Sequence, residues 1–326
     1  MNGTKSTDPT PALPRPTTPR PRFYWVGTVA GIVLAAVFLV AVWGKALDPS
    51  AFAEQIRLEK LDVLFTAQTV ALLALALETG LGLALLLGVR RLWVLVPAAL
   101  LVSFFLFLTG RAWYLTAHGL RTEAAGCGCF GNLVQRTPAE AFWQDLLLLV
   151  PPLALAFLGR DRRGRAVPPL RTAAVALGTA GVVLFAWKAP QLPLDDLATR
   201  LHPGIAVDEI CVDQSANPLC LSTVAGGLMQ GEHLVVIADL DDPAFRQSVA
   251  ALNQAAGRPG GPRVWVLADA TPQQVFNFRF SQGPIFQLVE APAALLRPLY
   301  RSLPRAFRVR DGEVTETWAG LPPLTS

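Results

Sequence analysis

From Phe23 to Gly44 the chain carries no charged side chain, and Arg22 and Lys45 bound this run. At about 1.5 Å of rise per residue, such a stretch crosses a bilayer core as one helix. A second run, Val63 to Val89, is interrupted only by Glu78; a third, Leu92 to Thr116, has Arg111 near its far end, and Arg90-Arg91 joins the two. The fourth, Ala141 to Gly159, carries Asp145 close to its start, and the fifth and shortest is Thr172 to Trp187. Gly44-Lys45-Ala46 has the small-x-small form of a signal-peptidase site. The run before it exceeds the usual apolar region of about 7–15 residues, so we read an uncleaved span.

After Gly231 the pattern changes to alternating strands and amphipathic helices. His233 to Asp239 reads as a buried strand, Asp242 as the cap of a helix presenting Phe245, Val249 and Leu252 on one face, and Arg263 to Ala268 as the next strand. A second helix is predicted over Thr271 to Ser281, then a further helix. Arg305–Arg310 and Glu313–Trp318 form a hairpin across Asp311-Gly312. The expected order is βαβα, a helix and a hairpin.

Composition sharpens this division. The chain is 52% hydrophobic and 16% charged, against roughly 25% charged residues in a soluble domain. The deficit lies in residues 23–188, so two regions in different solvents are implied. The formal net charge of +4 is modest and sits beside the apolar runs, which argues for membrane orientation and against nucleic acid as a partner. Short basic loops stay cytoplasmic. The tail with Lys5, Arg15, Arg20 and Arg22, the Arg90-Arg91 turn and the Arg160–Arg165 loop are therefore expected inside, which five alternating spans satisfy. Residues 46–62, the loop near 117–140 and everything after Lys188 are then outside, with all four cysteines. Residues 1–22, rich in Pro, Thr and Arg, fit a disordered cytoplasmic tail.

The outside cysteines are the first candidates for chemistry. In Cys127-Gly128-Cys129-Phe130-Gly131 the paired thiols are close enough for a disulfide only if the backbone turns tightly, which Gly128 permits. A strained bridge is easily reduced, which suits thiol–disulfide exchange. The alternatives are a structural bridge fastening the loop, or a metal site needing two further ligands. His118 is a candidate for lowering a thiol pKa, or a solvated loop histidine. Cys211 and Cys220 fit a structural disulfide, or a relay exchanging with Cys127 and Cys129.

Glu78 is weighed separately, because an ionisable group in the bilayer costs about 2.5–3.5 kcal/mol on insertion scales and is a functional candidate by default. Arg111 and Asp145 both lie near the outer end and are placed to pair with each other. Glu78 then has no charged partner evident in the sequence. It is either a protonated carboxyl bonded to a backbone or hydroxyl group, or a proton-handling or quinone-facing residue.

Taken in order, Lys45-Ala46-Leu47-Asp48-Pro49, Glu78 with Gly80 and Gly82, and Cys127-Gly128-Cys129-Phe130-Gly131 resemble the MauE/DoxX family of redox-associated membrane proteins. The resemblance covers residues 23–160 and rests most on the cysteine motif. It implies a four-helix bundle and a role, in methylamine-utilising bacteria, in maturing the disulfide-rich subunit of methylamine dehydrogenase. The C-terminal order resembles a thioredoxin-like domain, with Ser302-Leu303-Pro304 where that fold carries its cis-proline. Asp239-Leu240-Asp241-Asp242-Pro243-Ala244-Phe245 stands where thioredoxins have Cys-x-x-Cys, and the final helix is missing after Trp318.

The expected fold class is thus an all-α transmembrane helical bundle, four helices plus a fifth span, followed by an α/β thioredoxin-like domain lacking Cys-x-x-Cys. Its divisions are the tail 1–22, the bundle 23–160, a basic loop and fifth span 161–188, a linker with a cysteine pair 189–231 and the thioredoxin-like domain 232–326. The expected location is the cell inner membrane, multi-pass, with the C-terminal domain periplasmic. Two functions follow: a membrane thiol–disulfide redox protein passing electrons to a membrane acceptor such as quinone, or a non-catalytic assembly factor whose tail binds a client; no cofactor is evident in the sequence itself. Either needs an extracytoplasmic client or redox partner, and neither needs a metal.

Overall fold

The computed structural model describes residues 23–120, 136–161, 167–212 and 218–323. Among these, five helices are long and apolar enough to cross a membrane. They are α1 (Tyr24–Leu47), α3 (Ala67–Leu86), α4 (Leu92–Ala117), α5 (Pro138–Leu158) and α6 (Pro169–Lys188). The protein is a multi-pass membrane protein. Between the first two spans lies α2 (Pro49–Leu58), a helix absent from the sequence reading. Asp48 caps it by accepting the Ala51 N–H, Pro49 begins it, and its buried face carries Ala53 and Ile56.

Helices α1, α3, α4 and α5 enclose an apolar core that includes Leu34, Phe38, Leu85, Leu95 and Leu149. At one end of this bundle Gly27 and Gly159 meet backbone to backbone; a Cβ on Gly159 would lie 2.6 Å from the Gly27 Cα. Arg90 seals that end, donating to the Tyr24 carbonyl at 2.8 Å and pairing with Asp161 at 3.6 Å. The fifth span packs mainly along α3, where Gly178 admits Leu83, and leaves Leu177, Leu184 and Trp187 exposed to the surrounding medium.

Beyond α6 come α7 (Asp195–Ala198), β1 (Cys211–Val212), β2 (Leu219–Cys220), α8 (Leu221–Val224), β3 (Glu232–Ile237), α9 (Pro243–Ala256), β4 (Arg263–Ala268), α10 (Pro272–Gln282), β5 (Gln287–Glu290), α11 (Ala293–Leu296), β6 (Arg305–Arg310) and β7 (Glu313–Trp318). The large sheet runs β5-β4-β3-β6-β7, with β3, β4 and β5 parallel and β6 and β7 antiparallel to their neighbours. The Leu303–Pro304 peptide is cis immediately before β6. This is a thioredoxin-like arrangement, and the predicted strands 305–310 and 313–318 coincide with β6 and β7. Strand β5 went unread: four residues between Pro284 and Pro292 give too short an alternation to detect.

Residues 189–231 do more than link the two regions. On one sheet face α9 and α10 bury Phe245, Val249 and Phe278 against Leu234, Val236 and Val266. On the other, Leu201, Val207, Ile210, Leu221 and Leu228 join Val235, Leu267 and Phe307 in a core of comparable size. Strands β3 and β4 are buried from their second residue onward, as central parallel strands covered on both faces are. The second cover is this segment.

Candidate functional site

Inside the bundle a buried ion pair joins Lys45, in the last turn of α1, to Glu78 on α3. The Lys45 ammonium meets both carboxylate oxygens, at 2.6 and 2.8 Å, and the two side chains are 1% and 0% exposed. The rings of Phe52 and Phe105 each stand 4.9 Å from the same nitrogen, so α2 and α4 close the ammonium in with aromatic faces. Glu78 therefore has a charged partner, contrary to the sequence reading. Lys45 sits near the end of its helix, and its long side chain reaches the depth of Glu78 from there.

The expected Arg111–Asp145 pair does not form. Arg111 pairs with Glu59 just beyond α2 at 2.8 Å, and Arg136 pairs with Asp145 at 3.1 Å. The second pair is nearly buried, and Lys45 lies within electrostatic reach of Asp145. The order Arg136, Asp145, Lys45, Glu78 thus descends from the α2 side of the bundle toward its middle.

Cys127 and Cys129 lie outside the described residues. The helices flanking their loop end and begin on the side that carries α2, since α4 finishes at Ala117 beyond Arg111 and α5 starts at Pro138 beside Arg136. His118 caps the end of α4, its Nδ1 donating to the Tyr114 carbonyl at 2.8 Å. Cys211 and Cys220 are joined in a disulfide and are direct partners in the β1–β2 ladder. Both are half-buried.

In the thioredoxin-like domain, the start of α9 is acidic. Asp242 caps the helix through the Ala244 and Phe245 N–H groups, and Asp241 accepts from Arg246 and Gln274. Asp239 accepts the Asp241 N–H, which turns the chain out of β3 before the predicted strand end. Tyr300 stands before the cis-proline; its phenol pKa is raised by burial, opposed by Arg297 and reinforced by Asp269, Asp239 and Glu54. Glu54 belongs to α2, so this end of the domain faces the bundle. Arg301 holds it there by donating to the Ala189 and Leu192 carbonyls. Arg305 is buried against Asp195 and Asp196. A cleft of about 380 Å³ at this junction is lined by Ser50, Leu192, Asp195, Arg301, Ser302 and Ala319 among others. Among the described residues no group of three or more His, Cys, Asp or Glu is placed to hold a metal ion.

Residues 23–159, the region from α1 through α5, match the family model described as methylamine utilisation protein MauE. No curated protein matches the chain. Two solved structures from Chlorobium tepidum are similar to its C-terminal part, each at 18% identity over 38% of this chain. One, described as a thiol:disulfide interchange protein DsbE, is covered over 89% of its length with a TM-score of 0.30. The other, a thiol:disulfide interchange protein of the thioredoxin family, is covered over 85% with a TM-score of 0.27.

Proposed function

We propose that this is a membrane thiol–disulfide redox protein acting outside the cytoplasm, with Cys127 and Cys129 as the exchanging pair. In this reading the Cys127–Cys129 disulfide takes two electrons and two protons from a client dithiol, leaving the client oxidised and Cys127 and Cys129 as thiols. A quinone-class acceptor in the membrane would supply the oxidising equivalents, taking those two electrons and two protons as Cys127 and Cys129 return to the disulfide. The carrying observation is that the helix ends flanking the cysteine loop share one side of the bundle with α2 and the thioredoxin-like domain. Arg90, Arg91 and Arg160 cluster at the opposite end, which supports a cytoplasmic N-terminus and a periplasmic domain in the inner membrane.

The domain supplies no dithiol at the start of α9, so its part is to bind the client and present it to the bundle. The MauE match makes an immature secreted enzyme such as methylamine dehydrogenase the first client to try. The acidic α9 start favours a second reading, a non-catalytic assembly factor whose tail holds its client while the bundle serves as an anchor.

Trapping thiols in intact cells with a bulky, membrane-impermeant alkylating reagent, before and after mild reduction, tests the first reading. Cys127 and Cys129 should become reactive from outside and revert when the reductant is removed. Full client disulfide formation in the Cys127→Ser/Cys129→Ser variant would leave only the assembly-factor reading.

A further inference from the structure

At the end of the bundle opposite α2, three arginines from three elements gather round the turn between α3 and α4. We propose that Arg91, Arg160 and Arg171 form a binding site for the phosphate of an anionic phospholipid, whose headgroup ties the start of the fifth span to the four-helix core. The proposal stands apart from the redox reading and uses none of its cysteines.

The site is assembled by Arg90. This buried side chain donates to the Tyr24 carbonyl at 2.8 Å and pairs with Asp161 at 3.6 Å, while the Asp161 N–H donates to the Arg90 carbonyl at 3.1 Å. Bonding Arg90 to Asp161 brings their chain neighbours, Arg91 and Arg160, alongside each other. Arg171, in the first turn of α6, reaches the same turn: its guanidinium lies 4.0 Å from where a Cβ on Gly88 would stand.

The positive charge gathered here is not answered from within the protein. Across residues 84–95, 155–161 and 167–175 the only acid is Asp161, which Arg90 already engages. Arg160 donates to the Phe157 carbonyl at 3.2 Å, and Arg91 and Arg171 have no ion-pair partner among the described residues. Helices α4 and α6 also begin at this end with no side-chain cap and no acid in the first turn, so their open N–H groups add to the positive field. Membrane orientation asks for arginines in the loops on one side. It does not ask that they converge, and convergence without an acid is repulsive until an anion enters.

The surroundings favour a lipid over a soluble anion. Leu92, Trp93 and Leu170 stand next to these arginines and are 45%, 58% and 79% exposed on spanning helices, so an anion held here has hydrocarbon beside it. Basic sites between spanning helices at the headgroup level suit phosphates that carry acyl chains, and arginine meets phosphate through paired hydrogen bonds. The consequence falls on α6, which packs mainly along α3 and leaves Leu177, Leu184 and Trp187 exposed. A headgroup shared by Arg171, Arg91 and Arg160 binds its start to the beginning of α4 and the end of α5.

Native mass spectrometry of the full chain in detergent, titrated with dioleoyl phosphatidylglycerol or with dioleoyl phosphatidylcholine, reads the two affinities. Phosphatidylglycerol should bind more tightly, and Arg91→Gln, Arg160→Gln and Arg171→Gln should each weaken it about 5-fold, the scale of one arginine at an anionic surface. Phosphatidylcholine binding should not change. Lys188→Gln, which removes a cation at the other end of α6, should leave both affinities as they are. Arg171→Lys keeps the charge and should retain most of the phosphatidylglycerol affinity, which guards against a variant that has lost its fold. Glycerol phosphate carries the same phosphate without acyl chains; binding as tight as that of phosphatidylglycerol would assign the site to a soluble phosphate and overturn the lipid. Equal affinity for the two lipids, unchanged phosphatidylglycerol binding in the three glutamine variants, or equal loss in Arg171→Lys and Arg171→Gln would overturn the proposal as well.

Discussion

The interior of the bundle and the sheet core of the thioredoxin-like domain differ in how much charge they bury. The bundle has few polar residues, yet it buries Lys45, Glu78, Arg90 and Asp145 and answers each with an opposite charge. The domain is rich in polar residues, yet its sheet core is almost wholly apolar: Arg305, buried at the start of β6, pairs with Asp195 and Asp196 outside the sheet, and His233 within β3 is spent on structure. Its Nδ1 accepts from Trp265 Nε1 at 3.0 Å and its Nε2 donates to the Gln230 carbonyl at 2.7 Å. The thioredoxin-like region therefore has the fold associated with thiol chemistry and an acidic turn where a dithiol would stand. In the proposed function the exchanging cysteines lie instead in the segment between α4 and α5, which would separate fold from site within one chain.

The sharpest way to break this comparison is to unbalance the bundle. Lys45→Met leaves the fully buried Glu78 carboxylate without its counter-charge, and removing one partner of a buried pair costs about 3–5 kcal/mol. The double change Lys45→Met/Glu78→Met should restore most of that loss. Unfolding in mixed dodecyl maltoside and dodecyl sulfate micelles, followed by circular dichroism, measures both. A Lys45→Met protein as stable as the unaltered one would mean that the pair is not charged in the folded state.

A next, comparable loss is expected from a residue that the sequence places in a linker. Leu221 is fully buried beneath the sheet, so Leu221→Ala should destabilise the domain by about 2–5 kcal/mol. Pulse proteolysis of the full chain should then show earlier cleavage within residues 201–323 and an unchanged bundle. An unaffected domain would show that residues 201–228 do not share its core.

What was legible in the sequence follows the same division. Long apolar runs marked all five spans, including the short one at Thr172–Trp187, because the bilayer requires them to be continuous. Strands β4, β6 and β7 were readable to the residue from their patterning and from the Asp311-Gly312 turn. Ion-pair partners were not. Whether Asp145 meets Arg111 or Arg136 depends on the rotation of α5 against α4 and on the path into α5, which no periodicity encodes. Helix α2 had a usable signal in Asp48-Pro49, a capping residue followed by proline at the first helical position, but its short apolar face lay between two much stronger runs. The linker could also have been questioned. Strands with unbroken apolar runs at 234–237 and 264–267 demand cover on both faces, and two amphipathic helices on one side leave the other bare.

The disulfide tests the domain's share of stability more gently. Closing a loop of about ten residues constrains the unfolded chain by roughly 2.5–3 kcal/mol, so Cys211→Ser/Cys220→Ser should lower stability by up to that amount. The Cys127–Cys129 cycle should persist in this variant if the hairpin bridge is structural. Its loss, in a protein whose domain remains folded by proteolysis, would instead favour a relay through Cys211 and Cys220.

The smallest effect is expected at Asp48, where the two regions meet. Its carboxyl is buried and caps α2 through the Ala51 N–H, and Arg297 and Arg301 of the domain act on it electrostatically. Burial raises its pKa, outweighing the Ala51 N–H and the two arginines, and Asp195 pushes in the same direction. The folded protein therefore holds this proton more tightly than the unfolded chain does. Its contribution to stability is fullest below the ordinary value of 3.8 and declines as pH rises toward the folded value. Asp48→Asn retains an acceptor for the cap and cannot ionise. Melting curves in detergent from pH 4 to 7 should show the aspartate protein losing ground to Asp48→Asn as pH rises, by no more than about 1 kcal/mol, the scale of one helix cap. The reverse trend, with the aspartate protein gaining on the variant toward neutral pH, would mean that Arg297 and Arg301 outweigh burial and that charge attraction helps hold the domain against the bundle.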